Sequence, residues 1–198
     1  AALTTPQIAA LTTAQAGALT STQIANLTTT QIAAFETADI AKLSTAALAG
    51  LTTAQVAALT TAQVAALTSA QVTKLTTAQI AALETADVAS IATAALAGLT
   101  STQLVALTTA QVAALTSTQL AKLSTTQIAA METVDVASLS TTALAGLSTA
   151  QIIGLTTAQV AGLTTGQVAA LTNAQIAALA SDDKIGRASC RERVCYVV

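Results

Sequence analysis

Three acidic pairs are the side chains in the repetitive part of this chain whose types and spacing could support chemistry. Each pair places a glutamate three residues before an aspartate: Glu36/Asp39, Glu84/Asp87 and Glu132/Asp135. Paired carboxylates can bind calcium or act as a general acid and base. They are also typical of helix starts, where carboxylates accept bonds from free amides and oppose the helix dipole. We expect the helix-start role, no catalytic residues and no dedicated metal site, with weak calcium binding as the alternative.

Other reactive residue types are absent or confined to the C-terminal end. The chain has no histidine, which excludes histidine-based catalytic triads and histidine-ligated metals. Both cysteines, Cys190 and Cys195, lie in the last stretch with every arginine and the single tyrosine. No glycine-rich phosphate-binding loop is present. We therefore expect neither an enzyme nor a cofactor.

The acidic pairs lie within an eight-residue phrase that fills nearly the whole chain. Residues 51–66 read LTTAQVAALTTAQVAA, which is the phrase written twice. Octads begin at Leu3 and run without a register slip to Ala178, which makes 22 copies. The first and sixth slots are apolar throughout, so we expect them to form the core. Residues 1–180 are accordingly predicted to be one repeat domain.

Each octad contains two signals for the start of a helix. Thr52 followed by Gln55 is the spacing of a capping box, and Leu51 and Val56 occupy the positions of a hydrophobic staple. A helix that restarts every eight residues is short, about six to seven residues. One octad buries too little surface to fold alone, so neighbouring octads must stack. The prediction is an all-α solenoid with one helix per octad; the alternative is a parallel β-solenoid.

A longer period of 48 residues, or six octads, overlies the first. Each acidic octad is followed by an octad that lacks glutamine and ends in Ala-Gly, at Gly50, Gly98 and Gly146. These glycines, and Gly154 and Gly162, are expected to close helices in the left-handed conformation. Two or three octads per coil would both return this pattern to one face.

Composition narrows the class of protein. The chain is 53% hydrophobic and 8% charged, yet Thr or Gln interrupts the octads and no run of about 18 apolar residues exists, so we expect no membrane span. Three lysines oppose eight acidic residues up to Asp183, a net charge of −5, and we expect no nucleic-acid partner. The chain begins at Ala1 without a methionine, which is typical of an internal fragment.

The last stretch, residues 181–198, leaves the octad pattern. Residues 185–194 read IGRASCRERV, and this decapeptide resembles the translation of a common short-read sequencing adapter. We interpret the non-repeat tail as an artefact, so no disulfide, zinc or basic-patch argument is built on it. Resequencing the gene beyond Asp183 tests this.

The LTTAQVAA-type phrase resembles repeat regions of very large secreted bacterial proteins described as haem-utilisation or adhesin-like. The resemblance covers Leu3 to about Ala180 and implies an extracellular or cell-surface location. The partners it implies are neighbouring domains of the same protein and host or surface ligands. Haem binding is not carried over, because Met131 and Tyr196 are the only conceivable axial ligands.

These observations favour a structural function, a rod or spacer that holds other domains away from the cell. The regularly spaced threonines allow an alternative, in which a threonine-lined face binds ice or another surface. Calcium binding by the acidic pairs is the third hypothesis.

Overall fold

The computed structural model describes residues 3–181, which form consecutive short α-helices without a strand among them. Two compact units are present, Ala1–Leu107 and Thr108–Val198. The helices of the first unit are α1 Thr5–Ala9, α2 Thr13–Gly17, α3 Ser21–Ala25, α4 Thr29–Ala33, α5 Thr37–Ile40, α6 Thr45–Ala49, α7 Thr53–Ala57, α8 Thr61–Ala65, α9 Ser69–Val72, α10 Thr77–Ala82, α11 Thr85–Ser90, α12 Thr93–Leu96 and α13 Ser101–Val105.

The described part of the second unit contains nine helices of the same kind. They are α14 Thr109–Ala113, α15 Ser117–Leu120, α16 Thr125–Ala130, α17 Thr133–Ser138, α18 Thr141–Ala145, α19 Thr149–Gly154, α20 Thr157–Ala161, α21 Thr165–Ala170 and α22 Asn173–Ser181. Among residues 3–181, no helix is both long and apolar enough to cross a membrane. The tail residues 182–198, with both cysteines and every arginine, lie outside the described residues.

The helices begin where the capping box predicts. In α7, the Thr52 hydroxyl accepts from the Gln55 amide at 3.2 Å, and Gln55 Oε1 accepts from the Thr52 amide at 2.8 Å. Thr52 itself has extended backbone angles, as an N-cap requires. Most octads with Ser or Thr in the second slot and Gln in the fifth repeat this geometry. The all-α prediction is confirmed, and the β-solenoid alternative is not supported.

The helices end slightly earlier than predicted, and α1–α21 have four to six residues each. At the end of α7 the Leu59 amide donates to the Val56 carbonyl at 3.1 Å, a tighter bond that spans three residues. Such a bond closes the last turn in the 3₁₀ manner and releases the chain into the next extended N-cap. The octad is therefore one short helix and one bend.

Three octads make one coil. In the first unit α1 packs on α4, α2 on α5 and α3 on α6, and the same spacing of three helices continues to α10 on α13. In the second unit α14 packs on α17 and α15 on α18. The 48-residue period therefore corresponds to two coils, and within a unit it returns each octad type to the same face. The first-slot and sixth-slot residues form the core, as predicted.

The predicted left-handed helix ends are wrong. Gly50 and Gly146 have φ values of −78° and −76°, in the right-handed region. A Cβ on Gly50 would lie 2.7 Å from the Cβ of Ser21, and one on Gly146 would lie 2.8 Å from the Cβ of Ser117. Gly98 faces Ser69 in the same way. Glycine is needed because the helix end lies very close to the coil before it.

This close approach predicts opposite effects for two Gly→Ala substitutions. Gly50→Ala should lower the free energy of unfolding by about 1–3 kcal/mol, because the added methyl meets both the backbone and the side chain of Ser21. Gly166→Ala should raise it by about 0.5–1 kcal/mol, because Gly166 lies within α21 and its nearest obstacle is 3.8 Å away. Urea denaturation measures both, and a neutral Gly50→Ala would contradict the packing explanation.

Candidate functional site

The acidic pairs share one face of the first unit, on α5 and α11, with α2 and α8 packed against them. Each pair is split by the fold. Glu36 and Glu84 are exposed, whereas Asp39 and Asp87 are buried, with 1% and 2% of their surface exposed. Glu132 and Asp135 in the second unit are divided in the same way. The two carboxyl groups of a pair therefore have different surroundings.

The predicted capping role of the glutamates is wrong. Glu36, Glu84 and Glu132 occupy the N-cap position, but none forms a side-chain cap hydrogen bond. Glutamate is not among the residue types favoured at this position, where a short side chain reaches the free amides best. The Asp39 amide instead donates to the Glu36 carbonyl at 3.0 Å.

The buried aspartates are the chemically unusual groups. Atom Oδ2 of Asp39 and of Asp87 is buried without a hydrogen-bond partner. The Asp135 carboxylate is better served, since the Thr109 hydroxyl donates to its Oδ1 at 2.9 Å. Burial, with a contribution from the negative charge of Glu36, raises the pKa of the Asp39 carboxyl above its usual value. This arrangement favours holding a proton.

Calcium binding by the pairs stays a prediction. Among the described residues, no group of three or more His, Cys, Asp or Glu side chains is gathered as a metal site would require. Isothermal titration calorimetry with calcium, on the wild-type chain and on Asp39→Asn, checks it. Met131, considered above as a haem ligand, is buried in the core slot of its octad.

The aspartates replace a glutamine that has a second task, which sequence reasoning missed. Gln63 caps its own helix through Oε1, and its Nε2 donates to the carbonyls of Ile32 at 3.0 Å and Phe35 at 2.8 Å. These carbonyls lie 31 and 28 residues earlier, in the preceding coil. One side chain therefore joins two coils and occupies both ends of its amide.

This contact recurs, and we call the set the glutamine ladder. Its members in the first unit are Gln31, Gln55, Gln63, Gln71, Gln79 and Gln103, and in the second unit Gln151, Gln159, Gln167 and Gln175. All are buried. A signal for it was available in the sequence: a capping box accepts Glu as well as Gln, yet no octad has Glu in the fifth slot. Only glutamine supplies the donor.

Replacing Asp39 by glutamine should stabilise the protein at neutral pH by about 1–3 kcal/mol, because an unpartnered buried oxygen is removed and a ladder donor is restored. A raised folded-state pKa means that ionisation of Asp39 lowers stability as pH rises through the unfolded and then the folded pKa. The gain from Asp39→Gln should therefore shrink as pH falls below the unfolded value.

Thermal melts from pH 3 to pH 8 measure this dependence. Glu36→Gln is the matched control, since Glu36 is exposed and should change stability little. A gain from Asp39→Gln that does not vary with pH would contradict the role of the buried charge.

The sequence comparisons add the family. Profile matches to the ALTTAQ repeat cover residues 1–29, 32–69, 58–85, 80–117, 128–165 and 154–181. Searches of curated proteins and of solved structures gave no significant match. The matched segments span most of the chain and coincide with the octads that build the coils. With its capping boxes and glutamine ladder assembled from this phrase, the chain belongs to the ALTTAQ repeat family.

Proposed function

We propose that this chain is a structural spacer of a large bacterial surface or secreted protein, without catalytic activity. The observation that carries the proposal is the use made of its polar side chains. In octads such as residues 59–66, Thr60 and Gln63 bond to each other and to the preceding coil. Such octads spend their polar groups on holding coils together, which suits a load-spanning element more than a ligand site.

The spacer role is tested by changing length in whole blocks. Deleting residues 35–82 removes one 48-residue period of six octads, and the remaining octads keep their places on the three faces. Energy transfer between fluorescent domains fused to the two ends should rise, with helicity per residue unchanged. A deletion of only four residues is the control and should disrupt folding. A block deletion that leaves energy transfer unchanged would count against a spacer.

The surface location is supported by the resemblance to secreted adhesin-like repeats and by a repeat region free of cysteine. Protease treatment of intact cells of the source organism tests it. The octad region should be digested while a cytoplasmic marker stays intact. Protection until the cells are lysed would contradict the location.

A second candidate is binding of ice or another hydrated surface, and one observation favours it. The helices α1, α4, α7, α10 and α13 stack on one face of the first unit, and their octads contain no charged residue. We call this the uncharged face. Thr28, Thr52, Thr76 and Thr100 are all exposed along it.

Thermal hysteresis tests this second candidate. The wild-type chain should depress the freezing point below the melting point, and Thr53→Lys with Thr77→Lys should abolish the effect. Thr61→Lys is the matched control, because Thr61 is equally exposed but lies on the face of the acidic pairs. A wild-type chain without hysteresis would exclude ice binding.

A further inference from the structure

The two ends of the octad array expose residues that are buried everywhere between them. At the start, Leu3 is 38% exposed, and Leu11, Leu19 and Leu27 are partly exposed. At the end, Val168 is 44% exposed, although sixth-slot residues in the middle of each unit are fully buried. We call α1–α3 the first coil and α20–α22 the last coil. Both present an apolar surface that a further coil would cover.

The first coil also carries unused donors. Gln7, Gln15 and Gln23 are exposed and cap their own helices through Oε1. Within residues 3–181, no acceptor receives a bond from their Nε2 atoms. Every member of the glutamine ladder uses this atom to bind a preceding coil.

The last coil carries the matching acceptors. First-slot carbonyls such as those of Phe35 and Leu43 accept from a ladder glutamine in the next coil, at 2.8 and 3.0 Å. The carbonyls of Leu163 and Leu171 occupy the same slot, and no donor among the described residues reaches them. A buried carbonyl that lacks a partner disfavours the packed state, so these groups must stay hydrated or find a donor.

We propose that the first coil of one copy of this chain stacks on the last coil of a second copy. Continuing the internal offsets of 28 and 31 residues assigns Gln15 of the incoming copy to Leu163 and Gln23 to Leu171. The new contact continues the coil-to-coil interface already present inside each unit, with the same donors, acceptors and apolar slots.

The polarity of the two ends fixes the type of assembly. Two first coils would place donor against donor, and two last coils would place acceptor against acceptor. Only the head-to-tail pairing is complementary. A heterologous contact that does not close a ring grows into an open filament. This inference goes beyond the spacer function and does not depend on it.

Sedimentation velocity over a range of concentrations tests the proposal on the full chain. The wild type should form dimers and longer oligomers as concentration rises. Gln15→Glu with Gln23→Glu should weaken association at least about tenfold, because a carboxylate still accepts the capping bond but cannot donate to a carbonyl. Ala14→Glu with Thr22→Glu is the control: it adds equal charge at exposed slots of the same helices and should leave association nearly unchanged.

A second variant blocks the other end. Val168→Glu places a charge on the last coil and should also give monomers. Mixing it with the Gln15→Glu, Gln23→Glu chain leaves one intact interface, so the mixture should form a dimer that grows no further. A wild type that stays monomeric, equal weakening by the control pair, or a mixture without dimers would each overturn the proposal.

Discussion

Replacing Leu83 by aspartate should lower the free energy of unfolding by at least about 4 kcal/mol and leave the first unit largely unfolded at room temperature. Leu83 is 4% exposed and lies in the core slot between α10 and α11. Aspartate there loses the apolar contacts of leucine and adds a charge without a partner. Because coils are stabilised mainly by their neighbours, the damage should spread to both sides. Far-UV circular dichroism during thermal denaturation measures the loss.

Leu3→Asp is the matched control, since Leu3 occupies the same slot at the edge of the array and is 38% exposed. Its loss should be below about 1 kcal/mol, because only a terminal octad is affected. Equal falls in melting temperature for the two variants would show that the coils do not share a continuous core.

Gln63→Glu should be the next most damaging change, with a loss of about 3–5 kcal/mol at pH 7. The substitution preserves size and leaves an acceptor for the Thr60 amide, so the helix start is kept. It replaces the donor to the Ile32 and Phe35 carbonyls with a negative oxygen in a buried position. The effect therefore isolates the contact between coils from the capping of the helix.

Gln7→Glu provides the comparison, because Gln7 is exposed and only caps its own helix. A carboxylate at a helix start interacts favourably with the dipole, so we expect little change or a small gain. Acid should partly rescue the Gln63→Glu variant, since a protonated carboxyl can donate again. Similar losses at positions 7 and 63 would indicate that capping alone accounts for the role of glutamine.

The helix starts were predictable because their causes are local. Thr52 and Gln55 lie within one turn, and the bonds between them need no knowledge of the rest of the fold. The number of octads per coil was not predictable in this way. It depends on which octads meet, and Gln55 meets Leu27, 28 residues away, through an atom that the capping box does not use.

The candidate site was predicted in identity but not in environment. Glu36 and Asp39 look like one helix-start motif when only their spacing is considered. Their separation into exposed and buried groups depends on the slot that each occupies, because the fifth slot faces the preceding coil. The glycines were misinterpreted for the same reason: Gly50 is small because of Ser21, 29 residues away, and its own backbone conformation is ordinary.

A coil of three octads also governs how such a gene can change length without loss of the fold. Tandem repeats gain and lose copies when they recombine out of step. A gain or loss of one or two octads would shift every later octad to a different face and place glycine-ended octads over threonine instead of serine. An exchange of six octads returns Ser21 and Ser69, and likewise Gly50 and Gly98, to equivalent positions. The 48-residue block is thus the smallest recombination step that preserves every contact between coils.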